Sequence, residues 1–393
     1  MRQKSFGKLI IVVSYATTFL LGMYITMYDS TIRSIADGFL ANAALMGVMI
    51  GMQHFGMIAP PFFIGAFSNW AGKKKVLMVS YLLLAAGALL VGLTHSLPAF
   101  LAAMFIIGTG YSVMEATASS VLSDEFPQHS RRHLNFSQVA FSAGALLAPL
   151  LTQWLNGVGV VFRYLYIGCA VLFVLVAFTH GFTHPRNDKG EAPERFNPLR
   201  VLSNVPLLFI ALAIALYVGL EVTIAANLVS YFQAIRMEEY GLLALTLFWA
   251  AMVPSRFLAG VLKTSVKTIV TALSALVCAA TLIAVLVPVL WVKLVCFTLA
   301  GFGSGPIWPL LMDVAGQRSR ATTGPVLGIM MSFSGLGGAL LPLLSGAVVN
   351  ATNQSAAYFI GAAAAALIPV MYLISCRGPQ ETLPEPSAPG TPV

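Results

Sequence analysis

The stretch HPRNDKGEAPERFNPLR, from His184 to Arg200, carries seven charged side chains in a chain of which only 9% is charged. Long apolar segments lie on both sides of it, and a helix needs roughly 20 consecutive apolar residues to cross a membrane. Six segments precede the stretch, at about 8–32, 41–68, 74–94, 97–122, 132–154 and 158–182, and six follow it, at about 204–232, 240–262, 266–288, 292–314, 322–347 and 353–376. The sequence therefore predicts an all-α membrane protein with twelve transmembrane helices in two six-helix bundles.

The charged stretch also predicts how the chain is divided. We expect an N-terminal bundle at residues 1–183, a cytoplasmic linker at 184–203, a C-terminal bundle at 204–376 and a tail at 377–393. The tail holds five prolines and almost no large apolar side chain, which predicts disorder.

The composition excludes several classes of protein. Of the 393 residues, 58% are hydrophobic and the mean hydropathy is +0.85, whereas a soluble globular protein has about 25% charged residues. The apolar runs are continuous, so they do not fit a β-barrel, whose strands alternate. The chain has no phosphate-binding loop and none of the short catalytic motifs of hydrolases. We therefore expect neither an enzyme nor a bound metal or cofactor.

Lysine and arginine are distributed unevenly between the loops. With the N-terminus in the cytoplasm, 17 of the 22 fall on the cytoplasmic side, four fall on the other side and Arg256 lies inside a segment. Such a bias sets the orientation of membrane helices. It predicts that both termini and the linker are cytoplasmic. As the location of the protein we expect a bacterial inner membrane. The net charge of +8 is thereby explained without nucleic acid as a partner.

Glycine and proline cluster in the fourth, fifth, tenth and eleventh segments. The richest clusters are Gly301–Pro309 and Gly335–Pro342 in the second half, with Gly108, Gly110 and Gly144 in the first. The fourth and tenth segments, and the fifth and eleventh, hold corresponding places in the two halves. This placement is typical of transporters with internal repeats, whose halves rock about a site at the midplane of the membrane.

Three acidic residues lie well inside apolar segments: Asp29, Glu115 and Glu221. An ionisable group there costs at least about 2.5 kcal/mol, so it faces a cavity or a partner. Burial disfavours a charged carboxylate, and such a group can therefore take up and release protons. We assign Asp29 and Glu115 to proton coupling. For Asp29 the alternative is a local ion pair with Arg33, and for Glu221 it is an anchor to a neighbouring helix.

Uncharged polar and aromatic residues in or near the spans suit a polar, neutral ligand. Imidazole, amide and aromatic groups can hydrogen-bond or stack against a sugar, although each of them also occurs in ordinary packing, and His54 could simply be a buried, hydrogen-bonded imidazole. The candidate ligand-binding residues, together with Glu221, are Tyr28, Gln53, His54, Asn135, Gln138, Phe141, Asn227, Trp249 and Trp308.

The loop between the second and third segments, Gly65–Lys75, resembles the loop motif of the major facilitator superfamily, with Asn69 where that family usually has Asp. Five further stretches resemble helices five, seven, eight, ten and eleven of its fucose-permease-like branch, the sugar:proton symporters. They are Leu134–Gly144, Tyr217–Thr223, Phe248–Phe257 and the two glycine clusters Gly303–Pro309 and Ser334–Pro342. The resemblance implies gating roles for Asn69, Lys73, Lys74 and Arg256.

The resemblance also implies a function. In the fucose permease of that branch an Asp of the first helix and a Glu of the fourth are held to couple protons and bind sugar, and Asp29 and Glu115 align with them. Phe141 stands where the fucose permease has Asn, which favours a different sugar or a more apolar solute. We expect a monomeric symporter of protons and a small neutral solute, a sugar above all. The alternatives are a proton-driven exporter of an amphipathic drug or metabolite and a membrane receptor that transports nothing.

Overall fold

The computed structural model describes residues 2–40, 43–62, 71–183, 198–318 and 323–377, and nearly all of them lie in α-helices. The helices of the first half are α1 (Arg2–Gly38), α2 (Ala43–Ile58), α3 (Lys73–Leu93), α4 (Leu97–Glu125), α5 (Ser130–Gly157) and α6 (Phe162–Gly181). Those of the second half are α7 (Val205–Ala234), α8 (Gly241–Val261), α9 (Val266–Leu286), α10a (Leu290–Ser304), α10b (Ile307–Gln317), α11 (Thr323–Ala351) and α12 (Ala356–Ser375). A short helix, Pro198–Ser203, precedes α7.

The predicted twelve-helix fold is confirmed. Within the described residues, eleven stretches are long and apolar enough to cross a membrane, with α10a and α10b forming one of them. The twelfth span is α2, whose 16 described residues carry no Asp, Glu, Lys or Arg. Helices satisfy every backbone polar group within the segment, which is why apolar runs of this length fold as helices in lipid.

The tenth span is broken at Gly305 and Pro306, between α10a and α10b. In a continuous helix the carbonyl oxygen of Gly305 would accept a hydrogen bond from the backbone N–H of residue 309, but Pro309 has no N–H. The break therefore leaves the Gly305 carbonyl free to bind a side chain. Pro254 and Pro342, by contrast, lie inside continuous helices.

Each half packs mainly within itself, and a few helix pairs join the two. In the first half α1 packs on α5, and α3 on α4 and α6; in the second, α7 packs on α11 and α12, and α9 on α10a and α12. The halves meet where α5 lies against α8 and where α2 and α4 lie against α11. The centre of the bundle is thus bounded by helices from both halves.

The connections between helices define two ends of the bundle. The turns 126–129 and 262–265 lie at one end, where α6 also ends at Gly181, and we call it the linker end. The turns 94–96, 158–161 and 235–240 lie at the other, which we call the far end. Residues 184–197 and 378–393 are outside the described part of the chain, so the domain boundaries and the disorder of the tail stay predictions.

Helices α1 and α5 make a close backbone contact near the centre of the bundle. A Cβ atom at Gly22 would clash with the carbonyl oxygen of Phe141, and one at Gly144 would clash with that of Phe19. Glycine is required at both crossing points because only a hydrogen atom fits between the two backbones.

Candidate functional site

Glu115 lies near the middle of α4 and its side chain is buried, with 3% exposed. The side-chain amide of Gln138, on α5, donates a 2.7 Å hydrogen bond to Glu115 Oε1. Among the residues that the structure describes, Glu115 Oε2 is buried without a hydrogen-bond partner. A buried, ionised carboxylate with one unpartnered oxygen is costly, and protonation lowers that cost because it removes the charge.

Arg256, on α8, is also buried and binds groups from both halves. Its Nε donates to the carbonyl oxygen of Gly305 at 2.8 Å, the acceptor freed by the break in the tenth span. Its Nη1 donates to the carbonyl oxygen of Gln138 at 3.1 Å and to Ser142 Oγ at 2.5 Å, both on α5. One guanidinium therefore ties α5 of the first half to α8 and to the tenth span of the second.

Glu221, on α7, is the second buried carboxyl group at the centre. Its Oε1 lies 3.7 Å from Arg256 Nη2 and accepts a 2.7 Å hydrogen bond from the hydroxyl of Tyr217, one turn earlier. The same Glu221 oxygen is thus close to the Arg256 guanidinium and accepts a hydrogen bond from Tyr217. A nearby cation and a hydrogen-bond donor both favour the ionised form of a carboxylate.

These side chains form one polar group, which we call the central cluster: Glu115, Gln138, Ser142, Glu221 and Arg256. It contains two carboxyl groups and one guanidinium, so it is electrically neutral when one carboxyl carries a proton. Because a net charge is expensive in the interior of a membrane protein, the cluster favours binding of one proton.

Two aromatic side chains border the central cluster. The guanidinium carbon of Arg256 lies 5.9 Å from the centre of the Phe141 ring, within the range of a cation–π contact. Tyr111, one turn before Glu115, is close enough to interact electrostatically with both Glu115 and Glu221. The predicted ligand-binding residue Phe141 therefore lies beside Arg256, and the unpredicted Tyr111 lies near the two carboxyl groups.

Of the other predicted residues in the first half, His54 lies where the two halves meet, Gln53 and Tyr28 are packed in helices of the first half, and two more lie outside the described part. The ring of His54 lies against Gly338 of α11, and the backbone of Gln53 lies against Gly108 of α4. Tyr28 is buried in α1. The backbone of Asp29 belongs to α1, but its side chain is outside the described part of the structure. Asn69 is outside it altogether.

The remaining predicted binding residues are spread over the bundle. The side-chain amide of Asn135 donates to the Arg131 carbonyl oxygen at 2.8 Å, near the linker end. Toward the far end, the side-chain oxygen of Asn227, Oδ1, accepts a 2.8 Å hydrogen bond from the side-chain amide of Gln354. Trp249 is partly buried beside Phe248, at 5.7 Å between ring centres, and Trp308 Nε1 donates to Ser334 Oγ at 3.3 Å.

The predicted gating lysines bind within the first half, at the linker end. Lys73 makes an ion pair with Asp124 at the end of α4. Lys74 Nζ donates to the carbonyl oxygens of Gly181 at 2.5 Å and Thr183 at 2.9 Å, so it caps the end of α6. Both contacts fasten helix ends to one another.

The contacts that cross between the halves at the linker end involve residues that the sequence analysis did not single out. Ser130 Oγ donates to a carboxylate oxygen of Asp313 on α10b. Arg131 donates to the carbonyl oxygens of Ala259 at 3.0 Å and Thr264 at 2.7 Å, where α8 ends. These bonds hold the halves together at this end. Their only sequence signal is the position of Ser130 and Arg131 in the basic turn before the fifth segment.

Comparison with known proteins places this arrangement in a family. The model of the Major Facilitator Superfamily matches residues 14–321 and 234–392 of the chain. The multidrug resistance protein MdtH of Shigella dysenteriae is 26% identical over 206 residues, which are 52% of this chain and 51% of that protein. This chain thus spans about half the length of that relative. A putative glucose/galactose transporter of Helicobacter pylori is 25% identical over 67% of this chain and 70% of its own length.

Among solved structures, the E. coli fucose:proton symporter FucP has the same fold. It superposes with a TM-score of 0.78 at 19% sequence identity, over 93% of this chain and 98% of that chain.

Proposed function

Since this chain belongs to the Major Facilitator Superfamily, we propose that it carries a small neutral solute across the membrane together with protons, by alternating access. Among neutral solutes we favour a sugar. Members of the superfamily are transporters of small molecules and not enzymes, and the chain is a multi-pass integral membrane protein. The coupled solute and the coupled proton are our proposal. One observation carries it, the buried Glu115 carboxyl group in a cluster that joins both halves.

The central cluster supports a simple form of coupling. When Glu115 carries a proton, Arg256 balances Glu221 alone, at 3.7 Å. When Glu115 releases the proton, two carboxylates compete for one guanidinium. Because the same guanidinium holds the Gln138 carbonyl oxygen and Ser142 on α5, a shift of Arg256 loosens the contact between the halves. Proton release is thereby linked to the rocking motion of the halves.

A sugar as the solute is supported by the chemistry around the cluster. Ser142, Gln138 and Tyr111 offer hydroxyl and amide groups, and the face of Phe141 suits the apolar face of a sugar ring. The relatives named as a glucose/galactose transporter and a fucose:proton symporter fit this class of solute.

The test uses Glu115→Gln in purified protein reconstituted in liposomes. Because glutamine cannot titrate, we expect accumulation of labelled glucose, galactose or fucose under an inward proton gradient to fall to the level without a gradient. Counterflow, in which labelled solute exchanges for unlabelled solute without net proton movement, should persist. Glu125→Gln, at the end of the same helix, is the matched control and should retain both activities. Unchanged gradient-driven accumulation in Glu115→Gln would rule out the proposed role.

The second candidate function is proton-driven export of an amphipathic drug or metabolite. It is favoured by the similarity to MdtH and by the apolar Phe141 ring at the site. The direction of proton movement distinguishes proton-coupled uptake from proton-driven export. Addition of solute to protein-containing liposomes should carry protons in the same direction as the solute for symport, and in the opposite direction for antiport.

The proposed orientation places the linker end and both termini in the cytoplasm of a bacterial cell, at its inner membrane. The excess of Lys and Arg at this end supports it. Cys376, exposed at the end of α12, provides a native probe. In spheroplasts, a membrane-impermeant maleimide should label it only after permeabilisation, and Cys376→Ser should abolish that label. Labelling of Cys376 in intact spheroplasts would reverse the orientation.

A further inference from the structure

The contact between α5 and α8 joins the two halves, and at the linker end it carries a group of basic side chains. Arg131, in the first turn of α5, donates to the carbonyl oxygens of Ala259 and Thr264, where α8 ends. Its neighbour Arg132 and the residue before Thr264, Lys263, are thereby brought together, one from each half. Both side chains are exposed, so two cations from different halves lie at one place on the surface.

Three basic side chains at this place lack an acidic partner among the described residues. They are Arg132, Lys263 and Lys267, all exposed, and we call them the basic seam. Asp124 and Asp313, carboxyl groups at the same end, are engaged by other side chains. Arg132 and Lys267 also lie in the first turns of α5 and α9, where the helix dipole disfavours a cation and favours an anion. The basic seam is therefore suited to an anionic partner.

The basic seam lies at the edge of a surface that faces lipid. Apolar side chains are exposed at the end of α8, directly before Lys263. They are Phe257, Leu258, Val261 and Leu262, each between 41% and 50% exposed. On a membrane protein such a surface faces the hydrocarbon of the bilayer, and the basic turn that follows it lies at the level of the headgroups. The phosphates of the lipids lie at this level too, so the nearest source of anions is the bilayer itself.

A pair of aromatic rings connects the cations to the apolar surface. The rings of Phe136 on α5 and Phe257 on α8 stack with their centres 5.4 Å apart and their planes 5° from parallel. The guanidinium carbon of Arg132 lies 5.2 Å from the centre of the Phe136 ring, in the range of a cation–π contact. Such a contact uses the face of the guanidinium and leaves its N–H groups available to an anion. A ligand that matches both features has an anionic head and an apolar chain.

We propose that the basic seam binds the phosphate of an anionic phospholipid, with one acyl chain lying along Phe257 and Val261 of α8. Arginine offers a phosphate a planar pair of donors, and lysine adds a point charge. Basic pockets between transmembrane helices on the cytoplasmic side bind anionic headgroups in this way. A soluble anion would leave the apolar surface uncovered, and a neutral lipid would leave the cations unpaired. The site is independent of the transported solute. Because its cations come from both halves, a bound lipid stabilises the contact between the halves at the linker end.

The test compares two double variants that lose the same charge at the same end of the molecule. Arg132→Gln with Lys263→Gln removes two cations of the basic seam. The matched control, Lys75→Gln with Arg377→Gln, removes one exposed lysine from the start of α3 and one exposed arginine from beyond the end of α12. The readouts are the retention of palmitoyl-oleoyl-phosphatidylglycerol and palmitoyl-oleoyl-phosphatidylcholine in native mass spectrometry, and the rise in melting temperature that each lipid causes in detergent solution.

We expect wild type and the control to bind the phosphatidylglycerol in preference to the phosphatidylcholine, which has the same chains but no net charge, and to be stabilised by it. Each basic residue near an anionic headgroup contributes roughly fivefold in affinity, so the basic-seam variant should bind the phosphatidylglycerol about 30-fold more weakly and lose the preference. Glycerophosphoglycerol, which has the headgroup but no chains, should not raise the melting temperature of wild type.

An equal preference in wild type and in the basic-seam variant would overturn the proposal. An equal loss in the control would also overturn it, because the effect would then follow from net charge alone. Stabilisation by glycerophosphoglycerol as large as that by the lipid would overturn it in favour of a soluble anion. Both substituted side chains are exposed, so we expect the variant to fold. If it does not, Lys263→Gln alone is compared with Lys75→Gln by the same readouts and the same criteria.

Discussion

Glu115 and Glu221 are both buried carboxyl groups at the centre of the molecule, one in each half, but their partners differ. Glu221 Oε1 has a cation at 3.7 Å and a tyrosine hydroxyl at 2.7 Å. Glu115 has an uncharged amide at 2.7 Å, and its second oxygen has no hydrogen-bond partner among the described residues. Arg256 acts on Glu115 only through the longer-range field and through its bond to the Gln138 backbone.

The difference separates two roles that look the same in the sequence. A carboxylate paired with a cation and a donor is held in its ionised form, and its removal leaves the cation unpaired. A buried carboxyl group with a neutral partner and one unpartnered oxygen is costly to ionise, so it holds a proton more readily. We therefore propose that Glu115 carries the coupled proton and that Glu221 positions Arg256.

The largest effect is expected for Arg256→Met, which removes the only cation of the central cluster and keeps an unbranched, shorter side chain. Breaking a buried ion pair by removal of one partner costs about 3–5 kcal/mol. Glu221 would lose its cation but keep the Tyr217 hydroxyl, and the Gly305 carbonyl oxygen would lose its donor. We expect a clear fall in melting temperature, and loss of gradient-driven uptake and counterflow together.

The control for that variant is Arg131→Met, which also removes bonds between the halves but lies at the linker end. It should alter the rate of transport while leaving its dependence on the proton gradient intact. If Arg256→Met and Arg131→Met behaved alike in uptake and counterflow, the special place of Arg256 between the two carboxyl groups would be refuted.

A smaller effect is expected for Glu221→Gln. Glutamine can still accept the bond from Tyr217, and Arg256 keeps its three hydrogen bonds to α5 and Gly305. Because an ionised Glu115 can then balance the guanidinium, the cost in stability should be smaller than for Arg256→Met, about 1.5 kcal/mol. Uptake should fall, but it should still respond to the proton gradient, in contrast to Glu115→Gln. Loss of the gradient dependence in Glu221→Gln would show that the two carboxyl groups share the coupled proton.

The sequence predicts the fold well because its main signal is the length of apolar runs. Twelve segments and a central charged stretch follow from counting, and each segment matches a helix to within a few residues over most of the chain. The break in the tenth span can also be predicted from the sequence, since Gly305 precedes Pro306. In addition, residue 309, whose backbone N–H would bind the Gly305 carbonyl oxygen in a continuous helix, is a proline. The sequence does not reveal that the Gly305 carbonyl oxygen, left free by the break, accepts a hydrogen bond from Arg256.

The site is predicted less completely because partners depend on the rotation of each helix about its axis. A hydrophobic segment does not reveal which side chains meet across helices. Glu115 and Gln138 were both predicted as site residues, but their hydrogen bond was not, and Ser142 and Tyr111 were missed. Asn227 was grouped with them by residue type, yet it lies toward the far end with Gln354.

The most direct test of the central claim observes the carboxyl proton itself. Infrared difference spectra of the purified protein, recorded while the pH is varied, detect the C=O stretch of a protonated buried carboxyl group. The account predicts a pH-dependent band that is present in wild type, absent in Glu115→Gln and retained in Glu221→Gln. A band that survives in Glu115→Gln, or disappears in Glu221→Gln alone, would contradict the assignment of the coupled proton to Glu115.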